Sequence, residues 1–482
     1  MATLYDTGSS PANGAGTFDS ILKEFYIGPV QEQLNQEVMA LEMFEKATVD
    51  WNGKHCIIPV HTGRNTSVAF KGDGVEMTAA NAQDFAHLTV KAKFLYGQFE
   101  VTGPAIAAAA KGSTNSFISY VDAEMNMLVE DIRDKANKAV VSGGRVKGFI
   151  SQRSTGNTWA STGGAIANGA EVNIAGVLYD GDFAPFAACT TSGDLADDQE
   201  PTWIEVDLIN TKTGLTIGAA NDVFYVCDGS TAGYGESAGK LKIGRGNTGG
   251  SGTADHLSLS SVDDPHCVAV VLKDTLTVAN TGKVLASTDG AGNSQVSDEI
   301  TGIFGNIADP SHFGVTRTNA TNSALLSTVQ TQTTSGSFTT RAALSVSRMQ
   351  GMFDEILANS GTEPDAIIMS PLQRQKYTAL LSENIQQLAS TAAGAGHAGF
   401  LSLNYNGVQI TASRSVPNGM VLFLKTDTWK LTELEPGGFA DLDGNVLSRT
   451  ASFDKYTGYY RWYWNLVCTR PGANAILCGL TL

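Results

Sequence analysis

Apolar positions between Lys111 and Gly144 fall in the steps of a helix. Phe117, Val121, Met125, Leu128, Ile132, Ala136 and Ala139 are spaced by four and three and share one face, while Asp122, Glu130, Arg133, Asp134 and Lys138 fall mostly on the others. Ser113, Thr114, Asn115 and Ser116 offer N-caps, and Gly143-Gly144 offers the stop. A helix from Ser116 to Ser142 would span roughly 40 Å at about 1.5 Å per residue. Its single apolar stripe needs an equally long surface to lie on. Upstream, Phe18 to Tyr26 reads as a short helix broken by Gly28-Pro29, and Val30, Leu34, Val38, Leu41 and Phe44 return at helical spacing in a second. Two amphipathic pieces on a Gly-Pro hinge read as an arm that packs on a neighbour, or as a helical hairpin on the same subunit.

The period changes to two from Trp51. Lys54 to His61 is strand-like, with Pro59 pointing to an edge position, and Thr66 to Phe70 continues it to a turn at Lys71-Gly72-Asp73-Gly74. The return strand is expected from His87 to Glu100, with Leu88, Val90, Ala92 and Phe94 on one face and Thr89, Lys91, Lys93 and Leu95 on the other. Two such strands are not stable alone in water and must lie on another surface. From Arg145 to about Ile300 short strands alternate with Gly, Ser, Thr, Asp and Asn: Trp203 to Ile209, Leu215 to Ile217, Val223 to Cys227, Cys267 to Leu272 and Leu276 to Val278. This reads as an inserted all-β module, a small barrel or sandwich.

A helical stripe of Leu344, Met349, Met352, Phe353, Ile356 and Leu357 ends near Gly361, and a short buried strand follows at Ala366 to Met369. Ser370-Pro371-Leu372-Gln373 has the form of a capping box opening a helix that carries Leu372, Tyr377, Leu380 and Leu381. The rest is strand: Val408 to Thr411, Met420 to Leu424, Trp429 to Leu434, Tyr459 to Cys468, a turn at Pro471-Gly472, and Ala475 to Leu480. The expected class is α+β.

Composition sharpens this. The 482 residues include 52 glycines, and only 17% are charged, which suits a strand-and-loop chain with much surface buried against something else. A net charge of −16 repels phosphate and argues against a nucleic-acid reader built on Lys/Arg clusters. The six cysteines, Cys56, Cys189, Cys227, Cys267, Cys468 and Cys478, show no metal spacing and are expected as reduced thiols, although Cys468 and Cys478 could face each other across a terminal hairpin. Met1 to Gly16 lacks the charged and apolar regions of a signal peptide, and no apolar run is long enough to cross a membrane.

Candidate chemistry is sparse. Gly235-Glu236-Ser237-Ala238-Gly239 matches the G-x-S-x-G elbow of serine hydrolases, but the preceding strand ends seven residues early and a strand follows where a helix is required. Gly244-Arg245-Gly246-Asn247-Thr248-Gly249 matches G-x-G-x-x-G without the helix that would aim N–H groups at a pyrophosphate. Asp194, Asp197, Asp198 and Glu200, and the run Asp441-Asp443-Gly444-Asn445, read as solvated turns rather than Ca²⁺ ligands. No catalytic, cofactor-binding or metal role is assigned to any residue, and the chain is expected not to be an enzyme.

The order of these parts resembles the major capsid proteins of tailed bacteriophages, with their HK97-like fold. The segment 1–50 resembles that family's N-terminal arm, 51–104 its extended hairpin or E-loop, and 105–144 its spine helix. Residues 301–400, with the run Glu363-Pro364-Asp365-Ala366-Ile367-Ile368-Met369-Ser370-Pro371, resemble the rest of its peripheral domain, and 401–482, with Pro471 to Ala475, its axial domain. Residues 145–300 would be an insertion. The resemblance implies a structural subunit that forms the pentamers and hexamers of an icosahedral shell around double-stranded DNA, without sequence-specific binding and without a membrane. It implies a virion protein assembled in the host cytoplasm, with scaffolding, portal and decoration proteins as possible partners. Inter-subunit contacts would come from Val30, Leu34, Val38 and Leu41 of the arm, Lys71, Val90 and Phe94 of the hairpin, and Phe117, Val121 and Leu128 of the spine. Some family members cross-link a hairpin lysine to a neighbour's asparagine; Lys71 holds that place here, and such chemistry needs a desolvated amine beside a carboxylate base. A hydrolase using Ser237, or a cellular nanocompartment shell of the same fold, stands as the alternative.

Overall fold

The computed structural model describes residues 39–44, 46–47, 51, 53, 55–103, 115–153, 171–174, 204–216, 223–228, 240–246, 268–272, 299–331, 342–385, 403–441, 448–449 and 453–481. Two units are distinguished, 1–36 and 37–482, and all described residues belong to the second. Val30, Leu34, Val38 and the helix expected at Phe18 to Tyr26 lie outside them.

The long helix, α2 (Asn115–Ser142), follows a short α1 (Met39–Glu42) and runs where the periodicity puts it. Its stop is the glycine pair. The N–H of Gly143 donates to Ala139 O (2.8 Å), Gly144 sits at φ +83°, and a Cβ on Gly143 would come within 2.7 Å of Ile300 O. The second half of the stripe is buried through Ile132, Ala136, Val140 and Val141.

That face lies on a mixed sheet in the order β1 (Lys46–Ala47), β19 (Trp429–Phe439), β21 (Lys455–Cys468), β20 (Ser448–Arg449), with β4 (Lys93–Thr102) also paired to β21; all pairings are antiparallel except β1 with β19. Leu95 and Tyr460 pack toward the helix with buried Trp462 and Trp464, the last two stacked at 4.7 Å. Phe44 closes the far end against Trp429, at 5.2 Å between ring centroids.

Here the expected hairpin is corrected. Strand β2 (His55–Gly63) pairs antiparallel with β3 (Asp84–Lys91), but the return strand does not run on to Glu100. It breaks at Ala92, and β4 leaves to pair with β21, Phe94 opposite Tyr463. Asn465 Nδ2 donates to Lys91 O (2.9 Å) and fixes the break. Side-chain alternation resets there: Leu88 and Val90 point into a cluster with Cys56, Val60, Leu325 and Val467, whereas beyond Ala92 it is Leu95 that turns inward and Phe94 that turns out. Thr66 to Phe70 forms no strand.

A second sheet runs β14 (Thr328–Thr331), β22 (Ala475–Cys478), β18 (Val421–Leu424), β15 (Ala366–Met369), β17 (Val408–Ala412), β16 (Leu403–Tyr405). Beside it lie α4 (Val346–Ser360), whose cap Ser345 accepts from the Arg348 N–H, and α5 (Pro371–Ile385). Helix α4 supplies Met349, Met352, Phe353 and Ile356 to a core shared with Ile367, Tyr377 and Phe423. The capping box at α5 is only half made. Ser370 Oγ accepts from the Gln373 N–H (3.3 Å), but the Gln373 side chain donates to Thr481 O (2.8 Å) instead of reaching back.

Within 145–300, seven described strands form one sheet: β11 (Val268–Leu272), β5 (Val146–Arg153), β6 (Glu171–Ile174), β10 (Lys240–Gly246), β9 (Val223–Asp228), β7 (Ile204–Asn210), β8 (Leu215–Thr216). Because β11 also pairs with β7, the first six close into a ring. The strand expected at Leu276 to Val278 lies outside the described residues. Phe149 meets Phe304 of α3 (Ile303–Ala308) at 5.4 Å, which ties the ring to the rest of the core.

At that junction Arg317 is buried with its guanidinium on the carbonyls of Asp309 (2.6 Å), Asn306 (2.6 Å), Leu325 (3.2 Å) and Gly305 (3.2 Å), covering the C-terminal end of α3. Burial pulls its pKa down to about 10. The expectation of reduced thiols throughout is also corrected: Cys56 and Cys468 are free and buried, but Cys478 is disulfide-bonded, so the two C-terminal cysteines do not pair with each other.

Candidate assembly surface

The hairpin has a clamped base, a clamped neck and an uncovered tip. At the base, besides the Leu88 and Val90 cluster, the Thr89 N–H donates to Phe313 O (3.0 Å). At the neck, amide side chains bridge the two strands where pairing ends. Asn65 Nδ2 donates to Asn81 O (2.6 Å), and Asn81 Nδ2 to Thr66 Oγ1 (2.8 Å). Gln83 Oε1 accepts from the Asn65 N–H (3.1 Å) and lies 2.7 Å from His61 Nε2, which therefore carries the donor proton. Between the arms the Val75 N–H reaches Gly72 O (3.4 Å), with Gly74 at φ +74°.

The tip held by this neck is apolar and touches little. Val68 is 85% exposed and Met77 87%; Phe70 is fully exposed and Val75 more than half. The outer face of the paired strands adds Ile57 and Phe85. Burying such side chains is worth about 1.5–3 kcal/mol each. Polar bridges thus hold in water a loop whose own side chains favour leaving it.

A second uncovered apolar surface lies on the face of the β4–β21 sheet turned away from α2. Phe94 is 56% and Tyr96 55% exposed. Phe94 meets Tyr463 edge-on at 4.9 Å, and the Tyr96 hydroxyl donates to the Tyr463 oxygen (3.0 Å), which, with burial, pushes the Tyr96 pKa up to about 12. Arg461 pairs with Glu435 and lies over the Tyr463 ring at 5.9 Å.

The residues assigned to inter-subunit contact fall into three groups. Lys71 is exposed at the tip and Phe94 on the open sheet face. Val90 is fully buried in its own subunit and offers a neighbour nothing, while Leu41 and Leu128 pack, half-buried, on their own core, Leu41 with its N–H on Asn137 Oδ1 (3.2 Å). The side chains of Phe117 and Val121, with Val30, Leu34 and Val38, lie outside the described set. Lys71 is in water, not in the desolvated setting that cross-linking chemistry requires. Sequence reasoning missed the apolar tip and the amide neck; the legible signal was Asn65, Asn81 and Gln83 placed on both sides of Lys71-Gly72-Asp73-Gly74.

The other motifs place as follows. Ser237 and its glycines, Asp194 to Glu200, and Asp443 to Asn445 lie outside the described residues. Gly244 and Gly246 are inside strand β10, not on a strand-to-helix turn, so that run is no dinucleotide loop. No cluster of potential metal ligands occurs among the described residues, and no described helix is long and apolar enough to cross a membrane.

No family model matches the sequence, and no curated protein does. Solved structures do. The capsid asymmetric unit of cyanophage A-1(L) matches with a TM-score of 0.50 at 10% identity, over 96% of this chain and 98% of that one. This chain has a capsid fold. The capsid of cyanophage P-SCSP1u matches at a TM-score of 0.39 and 10% identity, over 97% of this chain and 95% of that one. An encapsulin complex from Synechococcus elongatus covers 37% of this chain and 56% of its own, at 12% identity and a TM-score of 0.23. At those scores neither adds to the assignment of the capsid fold, whose mixture of helix and strand is the one described above.

Proposed function

We propose that this chain is the major capsid protein of a tailed phage: a non-enzymatic subunit that assembles into the pentamers and hexamers of an icosahedral shell enclosing double-stranded DNA. In this reading 1–50 is the arm, 51–104 the extended loop, 105–144 the spine, 145–300 an inserted barrel, 301–400 the remainder of the peripheral domain and 401–482 the axial domain. The shell forms in the host cytoplasm and takes scaffolding, portal and decoration proteins as partners.

The observation that carries this reading is the uncovered tip. A clamped hairpin that presents Val68, Phe70, Val75 and Met77 to solvent makes sense when another molecule covers it. Contacts of a protrusion with a different surface on the next copy are heterologous, and they close into rings of five or six when the rotation per step closes. The acidic balance of −16 suits a wall that contains packed DNA without binding it tightly.

Light scattering and negative-stain microscopy of the purified chain test the reading. Closed particles of uniform size are expected, and a compact monomer under every assembly condition would overturn it. Nuclease-protected DNA in particles isolated from infected cells separates a phage shell from a nanocompartment, which would hold protein cargo instead.

A further inference from the structure

We propose that Cys478 forms its disulfide with Cys267, and that this bond is an oxidative lock fastening the inserted ring of strands to the sheet of β14 and β22. The lock belongs to the single chain and is independent of the shell reading. Of the six cysteines, Cys56 and Cys468 are free, so the partner of Cys478 is Cys189, Cys227 or Cys267, all within 145–300. The bond therefore joins the inserted module to the C-terminal strand, whichever of the three supplies the second sulfur.

Strand register chooses among them. Cys267 itself lies outside the described residues, but its Cα is one peptide step, about 3.8 Å, from that of Val268. Val268 pairs with Asn210 across β11 and β7. The next residue, Thr211, is buried, and its hydroxyl donates to Val329 O of β14 (3.5 Å). Cys478 sits at the following carbonyl: its Sγ is 3.3 Å from Gln330 O, and in the parallel pairing of β14 with β22 it stands opposite Thr331. One seam thus holds Cys478 and the strand end that Cys267 adjoins, and a disulfide needs Cα atoms about 4.4–6.8 Å apart. Cys227 is too far along the ring. Its neighbour Val226 pairs with Ile204, seven residues from Thr211 and roughly 24 Å away at about 3.4 Å per residue.

What the lock does follows from how the ring is attached. The chain enters it at Gly143-Gly144 and leaves it at Glu299 to Gly302, and the two ends touch: the Gly144 N–H donates to Glu299 Oε2 (3.1 Å) and the Gly302 N–H to Gly143 O (3.0 Å). A module hung on two adjacent segments can turn about them. Its second attachment is the β7–β8 turn, where the Asn319 N–H donates to Thr213 O (2.9 Å) and a Cβ on Gly214 would collide with Arg317 O. Single hydrogen bonds of this kind open and close; a disulfide beside them makes the attachment permanent. A chain made in a reducing cytoplasm starts with two thiols. A low-molecular-weight disulfide is the oxidant. One protein thiolate attacks it and expels a small thiolate, and the second protein thiolate then attacks the mixed disulfide and expels the other. The two protein protons end on the two small thiols, so the protein pair is oxidised by two electrons and the small disulfide is reduced by two. Cys478 is fully buried, so this exchange needs the seam open, and the closed seam then shields the bond from reductant.

The test uses the full-length chain, oxidised with glutathione disulfide in mild urea, returned to buffer, and alkylated in strong denaturant without reductant. Peptide mass spectrometry should find Cys56 and Cys468 alkylated and Cys267 joined to Cys478. Cys478 joined to Cys189 or Cys227 overturns the pairing, and Cys478 alkylated overturns the lock. Melting and limited proteolysis read what the bond does. The oxidised parent should melt about 4–10 °C above the same chain reduced in urea, because the bond closes a loop of some 210 residues. Cleavage within 145–300 should be at least about fivefold slower in the oxidised parent, since a fixed module opens less often. C267S and C478S, treated with the same oxidant, should each behave like the reduced parent, and the double variant should add nothing further. Circular dichroism establishes that each is folded; should C478S not fold, C267S and the reduced parent carry the same comparison. Equal melting and equal cleavage of oxidised and reduced chains overturn the locking role.

Discussion

Gly97 of β4 lies directly under Ile132 of the long helix: a Cβ added there would collide with the Ile132 Cδ1 methyl and lie 3.0 Å from Ile132 Cγ1 and Leu128 Cδ1. The helix can approach the sheet this closely because that one position has no side chain. The same packing fixes which sheet face is buried under the helix and which is left to display Phe94 and Tyr96. Replacing Gly97 with valine forces the two layers apart and should cost about 1–3 kcal/mol. A urea melt of the unassembled chain should show a lower midpoint; an unchanged midpoint would mean that the layers are not in contact there.

Acid should loosen the junction around His312. This ring is fully buried; its Nε2 donates to Cys468 O (2.8 Å), and its Nδ1, where a second proton would go, has no partner. Burial first, and the charge of Arg317 second, pull its pKa down from 6.5 to about 3. The unfolded chain therefore binds a proton that the folded chain refuses between those values. The stability tied to His312 is fully present above about pH 6.5 and is lost as pH falls toward 3, on the order of 5 kcal/mol over the whole span. Melting temperatures of the parent and of H312Q across pH 7 to 4 check this: the parent should lose stability more steeply than the variant.

What was legible in the sequence is what depends on neighbours in the chain. The long helix, its glycine stop and the stripe of Met349, Met352, Phe353 and Ile356 follow from local periodicity, and each element lies where that periodicity puts it. The break at Ala92 was not legible, because it is set by Asn465, some 370 residues away, drawing Lys91 O to itself. The capping box failed for a similar reason: Gln373 had a better acceptor in Thr481 O. Arg317 carries no local pattern at all, since its role is defined by four carbonyls gathered from Gly305 to Leu325. For the candidate surface, Val68 and Phe70 of the tip were read as part of a strand, and Val75 and Met77, between the turn and the return strand, carry no periodic pattern that marks them as exposed.

The neck should be separable from the stability of the body. Asn65 contributes two hydrogen bonds across the hairpin, and within its own arm its Oδ1 accepts two more, from the Ser67 N–H (2.7 Å) and the Ser67 hydroxyl (2.5 Å). Its backbone donor survives substitution, and the site is near water, so N65A should lower global stability by no more than about 1 kcal/mol. The tip, however, should lose its fixed direction. Limited proteolysis of the unassembled chain should then cut within 64–83 several times faster in N65A than in the parent, at nearly equal melting temperature. Equal cutting rates would show that the amide bridges do not hold the loop.

The tip residues themselves should behave oppositely to core residues. Phe70 and Met77 have almost no contacts within the subunit, so charging them removes no packing. F70D with M77D should leave the stability of the unassembled chain within about 0.5 kcal/mol of the parent, the ordinary range for surface changes. Assembly is where the cost should fall, because each carboxylate would have to be buried, unpaired, against the surface that covers the tip. V90D is the contrast: Val90 is fully buried in its own subunit, so there the unassembled chain itself should be destabilised, by several times as much. Melting and particle yield measured side by side on the two variants decide the point. If F70D with M77D melted low, the tip would belong to its own subunit's core, and if it assembled normally, nothing would need to cover it.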